Sequence, residues 1–306
     1  MYDAKIILDS LGPNGSRLTT FELTYPRMVH AELMTHRMFS RNSASSRAIP
    51  TEKLIARIME DPAVPVWWGK NQSGMQAREE LSNEREEGLH VLSPREEAKR
   101  QWLLMRDTAI EGVRALERIG LHKQVSNRPL EAWMGITVIV TATEFGNFFA
   151  LRDHADAQPE LAACATKAHV LYKESIPREV ASGAWHLPYV TRNDELQLRA
   201  DGFKDSDLCL ISTGRCARVS YLTHDGVRDP NADVALAKDR IQPSGHMSPF
   251  EHVAQALTWS EWDIYAKDMA DAWIKDRVPF GNLWGWKQLR KTIENEHDFG
   301  LIVKRV

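Results

Sequence analysis

Thr35-His36-Arg37-Met38-Phe39-Ser40-Arg41-Asn42-Ser43-Ala44-Ser45-Ser46-Arg47 sets three guanidiniums, an imidazole, a carboxamide and five hydroxyls within thirteen residues. Guanidinium forks hold phosphate oxygens in bidentate fashion, and serine hydroxyls with loop N–H groups fill the remaining lone pairs. The run reads as an anion cradle, although Ser-rich loops also form plain solvated turns. The sequence on either side bears on the choice.

Upstream, AKIILDSL and RLTTFELTY flank Gly12-Pro13-Asn14-Gly15, a turn signal between two strand-like runs, so residues 4–25 read as a β-hairpin. From Pro26 the period becomes helical, with Val29, Leu33 and then His36 or Arg37 at three- to four-residue steps. That helix would deliver His36 and Arg37 at its C-terminal end, and Ile49-Pro50 would close the loop in an extended conformation.

Downstream, residues 66–92 read as an exposed excursion. Ser93-Pro94-Arg95-Glu96 resembles a capping box that opens an amphipathic helix to about Ile119, with Trp102, Met105, Ala109, Val113 and Leu116 inward. Trp133 to Val140 is a short apolar stretch. A further helix is expected near Asp156 as cap, with Pro159 in its first turn and Leu161, Cys164, Ala168 and Leu171 on one face. The polar stretch 191–207 reads as a connector between a part at 1–190 and a part at 208–306 of a single catalytic domain. Ser248-Pro249-Phe250-Glu251 reads as another capping box. Trp259, Trp262, Trp273, Trp284 and Trp286 fit core or subunit packing, or stacking on a flat heterocycle.

The 306 residues, 43% of them hydrophobic and 26% charged, suffice for one large core or two modest ones. A net charge of −3 argues against duplex nucleic acid as partner and leaves local Arg clusters as anion sites. Cys164, Cys209 and Cys216 form neither a C-x-x-C pair nor a zinc pattern, and the N-terminus lacks a signal-peptide pattern, so a cytoplasmic protein is expected. No apolar run reaches the roughly 20 residues that cross a bilayer, and no membrane partner is expected.

His36-Arg37-x-x-Ser40-x-Asn42-x-x-Ser45-x-Arg47 resembles the signature of the flavin-dependent thymidylate synthases. Two more segments resemble that family. One is Asn147-Phe148-Phe149-Ala150-Leu151-Arg152 with Asp156-Ala157-Gln158-Pro159-Glu160. The other is Ala217-Arg218-Val219-Ser220-Tyr221 with Gly245-His246-Met247-Ser248-Pro249-Phe250-Glu251-His252. The family order places this last group first, so the chain reads as a circular permutant, which a packed core tolerates where termini lie close together at the surface. The resemblance implies an α+β fold, an antiparallel sheet flanked by helices, and a homotetramer with active sites shared between subunits. It implies FAD as cofactor, with NADPH and methylenetetrahydrofolate as co-substrates that convert dUMP to dTMP. Arg152 and Ser45 would be the catalytic pair. Glu32, Ser43, Ser45, Ser46, Arg47, Arg128 and Arg152 would bind the nucleotide, and His36, Arg37, Asn147, Ser248 and Glu251 would hold FAD.

Without the resemblance, Arg152 after Phe148-Phe149-Ala150-Leu151 also fits an ion pair with Asp153, Asp156 or Glu160. His246, Glu251 and His252 lack a one-turn His pair, so no metal is expected. No Cys has the company of an activated nucleophile. No Gly-x-Gly-x-x-Gly occurs, so a nicotinamide would bind transiently. The chain departs from the family pattern at Thr35, where Arg is usual, at Glu32 for Gln, at Ser43 for Glu and at Asp156 for His. One cation fewer and more carboxylate weaken a phosphate site unless Arg41 compensates. These departures suggest two alternatives: a related flavin and folate enzyme that methylates or hydroxymethylates dUMP or dCMP for modified-base synthesis, or a non-catalytic nucleotide- or flavin-binding protein.

Overall fold

A computed structural model describes residues 1–85, 92–221, 229–267, 280–294 and 296, with the side chains of 220, 221 and 265–267 outside that description. The strands are β1 (Asp3–Leu11), β2 (Arg17–Pro26), β3 (Ser40–Ser43), β4 (Gly135–Ala142), β5 (Arg178–Glu179), β6 (Trp185–His186), β7 (Ala254–Ala256) and β8 (Trp286–Gln288). They form a five-stranded sheet in the order β3-β4-β2-β1-β5 and a three-stranded sheet β6-β7-β8. Pairing is antiparallel throughout except at the β1–β5 edge, where two residue pairs run parallel. The helices used below are α1 (His30–Leu33), α2 (Thr51–Glu60), α3 (Pro94–Arg118), α4 (Lys123–Ser126), α5 (Gly146–Arg152), α6 (Pro159–Glu174), α7 (Arg192–Ala200) and α8 (Asp205–Tyr221). The fold is thus α+β.

Side chains alternate across a strand, and β4 shows what that does here. Ile136, Val138, Val140 and Ala142 join Phe21, Leu23 and Tyr25 of β2 under Phe148 and Phe149 of α5 and Leu161, Cys164, Ala165 and Ala168 of α6. Ile139, from the opposite face, packs on Cys216 and Val219 of α8. A second core beside the sheet sets Leu54, Ile55 and Ile58 of α2 against Ile110 and Val113 of α3 and Leu130, Trp133 and Met134.

Several local expectations change. Pro26 ends β2 opposite Gly135, and Arg27 N donates to Met134 O at 2.8 Å, so the ladder runs through the residues expected to open a helix. Only a 3₁₀ turn (Arg27–Val29) and the single-turn α1 follow. The Ser93–Glu96 box caps α3 as read, and Val113 is buried with Trp102 and Ala109 packed beside it; Arg106 and Ile110 join this face, whereas Met105 faces solvent. Gln158, not Asp156, precedes α6, with no side-chain cap. Ser248–Glu251 is a 3₁₀ turn without a side-chain cap, because Glu251 pairs with Arg290 instead. The polar stretch 191–207 contains α7, which Thr191 and Asp194 cap reciprocally. Residues 66–85 are irregular and mostly exposed, with one isolated bridge between Gly69 and Glu80, while 86–91 lie outside the described residues.

Of the five tryptophans after position 258, Trp286 is buried, Trp262 and Trp284 meet edge to face around Phe280, Trp259 is exposed, and Trp273 lies outside the described residues. All of the cysteines are free and buried.

Thr20 and Thr141 sit opposite each other on β2 and β4 and continue the interior as a polar chain. Their hydroxyls lie 2.7 Å apart; Thr141 meets His252 Nδ1 at 2.8 Å, Thr20 meets His186 Nε2 at 2.8 Å, and His186 Nδ1 meets Ser10 at 2.9 Å. Burial pushes both imidazoles from 6.5 down to about 3, with Arg178 adding to the shift at His186. Both folded-state values lie below the unfolded one, so this contribution is complete above pH 6.5 and is lost as pH falls toward 3. At pH 5 each histidine should cost about 2 kcal/mol. Urea unfolding at pH 7.5 and pH 5.0 should therefore show a loss about 4 kcal/mol larger in the parent than in a His186→Asn, His252→Asn double variant. A difference under about 1 kcal/mol would contradict the assignment of these two groups.

Candidate active site

β3 is four residues long, and its pairing of Ser40 with Thr141 and Ser43 with Val138 fixes both ends. Beyond Ser43 the chain enters the Ser/Arg loop. The buried Asn127 holds it by donating Nδ2 to Ser46 O at 2.8 Å and to Ile49 O at 3.0 Å. Ser46 donates to Glu131, which also pairs with Arg128 at 2.8 Å and with Arg27 at 3.6 Å. On the other side Asn42 donates to Cys216 O at 3.0 Å, tying β3 to α8.

This framework opens a cleft of about 370 Å³. Ser43, Ser45 and Arg47 line one wall, His246 and Ser248 the other, and His122 and Gln124 at the start of α4 complete the rim. Arg47 is exposed and forms no ion pair among the described residues, and the same holds for Arg37. A cation left free beside three serine hydroxyls and two imidazoles is a ready anion site.

A second group forms beyond the opposite end of β3. Arg152, at the end of α5, donates Nε to His36 Nε2 at 3.1 Å and Nη1 to Glu32 Oε2 at 3.1 Å. Its Nη2 donates to Glu32 O and Thr35 Oγ1, each at 3.2 Å. One N–H remains for a ligand. Burial, then the Arg152 charge, lowers the His36 pKa, while the nearby Asn147 opposes the shift. A neutral ring is what leaves Nε2 able to accept from a guanidinium. Burial raises the Glu32 carboxyl and Arg152 opposes it.

The ion-pair partner of Arg152 is thus Glu32, not any of the acids nearer in sequence. Asp153 instead takes His169 and Thr166, both at 2.6 Å, and Glu160 accepts from Val66 N at 2.9 Å and from Gln158 at 2.7 Å. Arg41, considered as a replacement cation, directs Nη1 at the carbonyls of Leu33, Met34 and His36, where it closes the end of α1. Glu251 is bound to Arg290; burial raises its pKa and Arg290 counters. Burial raises all three thiols, Cys164 to about 12, so none is poised as a nucleophile. No cluster of three His, Cys, Asp or Glu suited to a metal occurs among the described residues, and no helix among them is long and apolar enough to cross a membrane.

Within one chain, then, Ser43, Ser45, Arg47 and Ser248 share the cleft, while Glu32, His36, Asn147 and Arg152 form a separate cluster. Arg128 is linked to the loop only through Glu131. His122, Gln124, Asn127 and Glu131 escaped sequence reading because no spacing rule connects residues 122–131 with the loop at 43–47.

A family model described as thymidylate synthase complementing protein matches residues 18–178, just over half of the chain. The match contains the Ser/Arg loop and the Arg152 helix and ends before α8 and the Ser248 turn. No curated protein matched.

Asn127 generates a direct test of how the loop is held. Asn127→Ala should cost about 1–3 kcal/mol in urea unfolding and speed amide exchange at Ser45–Arg47. Unchanged exchange there would remove Asn127 as the anchor.

Proposed function

The chain belongs to the thymidylate synthase complementing protein family, and from that premise we propose that it transfers a one-carbon unit from methylenetetrahydrofolate to C5 of dUMP, yielding dTMP with FAD as cofactor and NADPH as electron source. The observation that carries this reading is the cleft in which Ser45 and Arg47 face Ser248. Residues of two motif groups about two hundred positions apart meet there around a free cation. The donor set suits an anionic nucleotide or a flavin phosphate: Arg47 offers a bidentate fork and the serines single hydroxyls. Exposed Arg37 adds a second free cation. FAD, when bound, supplies the hydride that reduces the transferred carbon.

The chain's own share is to bind, orient and stabilise charge. Ser45 and Arg47 would hold the nucleotide, with Ser43 and Ser46 shaping the loop and Arg128 reinforcing it through Glu131. Arg152 would donate its remaining N–H to the pyrimidine where negative charge develops, an effect of about 3–4 kcal/mol for a preorganised donor. His36, Arg37, Asn147, Ser248 and Glu251 would hold FAD. Arg47 lies beyond one end of β3, while Arg152, on α5, is bound to residues that precede the other end, which supports a homotetramer in which neighbouring subunits combine the two groups at one site. The motif order is that of a circular permutant, with the Ser248 part following the Arg152 part. A cytoplasmic location follows from these freely diffusing substrates.

A second reading takes cytosine as the base. Glu32 places a carboxylate beside the remaining N–H of Arg152. A carboxylate accepts only from a donating base edge; cytosine donates with its N4 amino group, uracil only at N3. A methyl or hydroxymethyl product of dCMP would then result.

Purified protein should carry a flavin spectrum and oxidise NADPH faster when nucleotide and methylenetetrahydrofolate are added. Product mass decides between the bases, and flavin binding without any product from dUMP or dCMP would leave only a binding protein. Arg152→Ala should lose about 100-fold or more in nucleotide-dependent turnover while retaining flavin. Unchanged turnover would exclude Arg152 from the site.

A further inference from the structure

Residues 280–290 lie outside the family match, yet they touch the strand and the turn that carry the two walls of the cleft. Gln288 ends β8 fully buried, and its Nε2 faces Asn282 Oδ1 at 2.9 Å, Ser40 Oγ at 3.2 Å and Glu251 O at 3.3 Å. Ser40 opens the strand that leads to Ser45 and Arg47, while Glu251 closes the turn that begins at Ser248. Asn282 extends the same junction, since Nδ2 donates to Met38 O at 2.8 Å and Oδ1 accepts from Ser40 Oγ at 3.1 Å. Arg290 adds a charged tie to the Glu251 carboxylate and is itself held by Glu296 at 2.8 Å.

The segment is fastened elsewhere as well, so it can act as a rigid reference. Asn14 Nδ2 donates to Gly285 O at 2.9 Å, Ser16 Oγ to Trp284 O at 2.6 Å, and Trp286 Nε1 to Ser16 O at 3.2 Å, bolting it to the first hairpin. Gly281 has a φ of 54°, and a Cβ there would come within 2.6 Å of Gln288 Oε1. The backbone therefore approaches the Gln288 amide as closely as glycine allows.

Building on the proposed flavin and nucleotide site, we propose that Gln288 is a positioning residue that sets the spacing between the two walls of the cleft, with Asn282 and Arg290 as its supports. An amide buried among three acceptors from three chain segments fixes all three relative to one another. A ligand that needs both walls then binds a gap already at its working width, without the ordering cost of closing it.

The test uses full-length protein with FAD as probe. Gln288→Leu keeps the volume and removes the donors; it should raise the FAD dissociation constant at least tenfold while the protein still unfolds cooperatively. Ser40→Ala added to that variant should change affinity less than twofold further, since both act through one junction. FAD affinity within twofold of the parent, or independent multiplying losses in the double variant, overturns the proposal. Should the parent bind no FAD, the flavin reading falls, and amide exchange in ligand-free protein decides the positioning role. Gln288→Leu should then speed exchange at 40–47 and 248–252 together, and unchanged exchange at either overturns it. If Gln288→Leu does not fold, Asn282→Ala at its partly exposed position carries the same exchange prediction.

Discussion

Both groups of candidate side chains depend on β3, whose four residues are held by the ladder to β4. The Arg152 cluster gathers around residues that precede the strand, and Arg47 leaves from the loop that follows it. A one-residue slip would turn Asn42 away from Cys216 and point Ser43 to the other face, because side chains alternate along a strand. Hydrophobic burial on both faces of β4 guards against that slip: Val138 and Val140 against α5 and α6, Ile139 against α8. The site's geometry is therefore a consequence of how the sheet fills its two cores.

The cations differ in how free they are. Arg152 is surrounded by Glu32, Thr35 and His36 and presents a single remaining N–H in a fixed direction. Arg41 is committed to the carbonyls that end α1. Arg37 and Arg47 are exposed without ion pairs among the described residues. A held guanidinium suits a directional hydrogen bond to a base, whereas free guanidiniums suit phosphate, which accepts from several directions. The free cations thus come from the motif at 35–47 and the held one from the end of α5.

The hairpin, the α3 capping box and the apolar β4 were legible because each rests on local pattern: turn residues, a Ser-x-x-Glu spacing and a run of β-branched residues. The core around Cys164 followed from helical period alone. The short α1 was not legible, since Pro26 suits a helix start and a strand end equally, and pairing with Gly135 decided the matter. The Ser248 turn misled for a related reason. Its Ser-Pro-x-Glu spacing is that of a cap, but Arg290, about forty residues away, claims the glutamate. Arg152 likewise passed over nearby acids for Glu32, 120 residues earlier. Family motifs supplied the candidate side chains; only the tertiary fold separated them into a cleft and a cluster, and brought in His122, Asn127 and Gln288.

In the proposed site, the Arg47 wall and the Ser248 wall enclose one ligand. A crystal structure of the protein grown with FAD and dUMP tests it most directly. A phosphate-bearing ligand should contact Arg47 in a cleft whose opposite wall is Ser248, with an Arg152 from the same or a neighbouring subunit facing the base. Ligand density away from this cleft, or Arg47 and Ser248 facing separate solvent in every assembly, would contradict it.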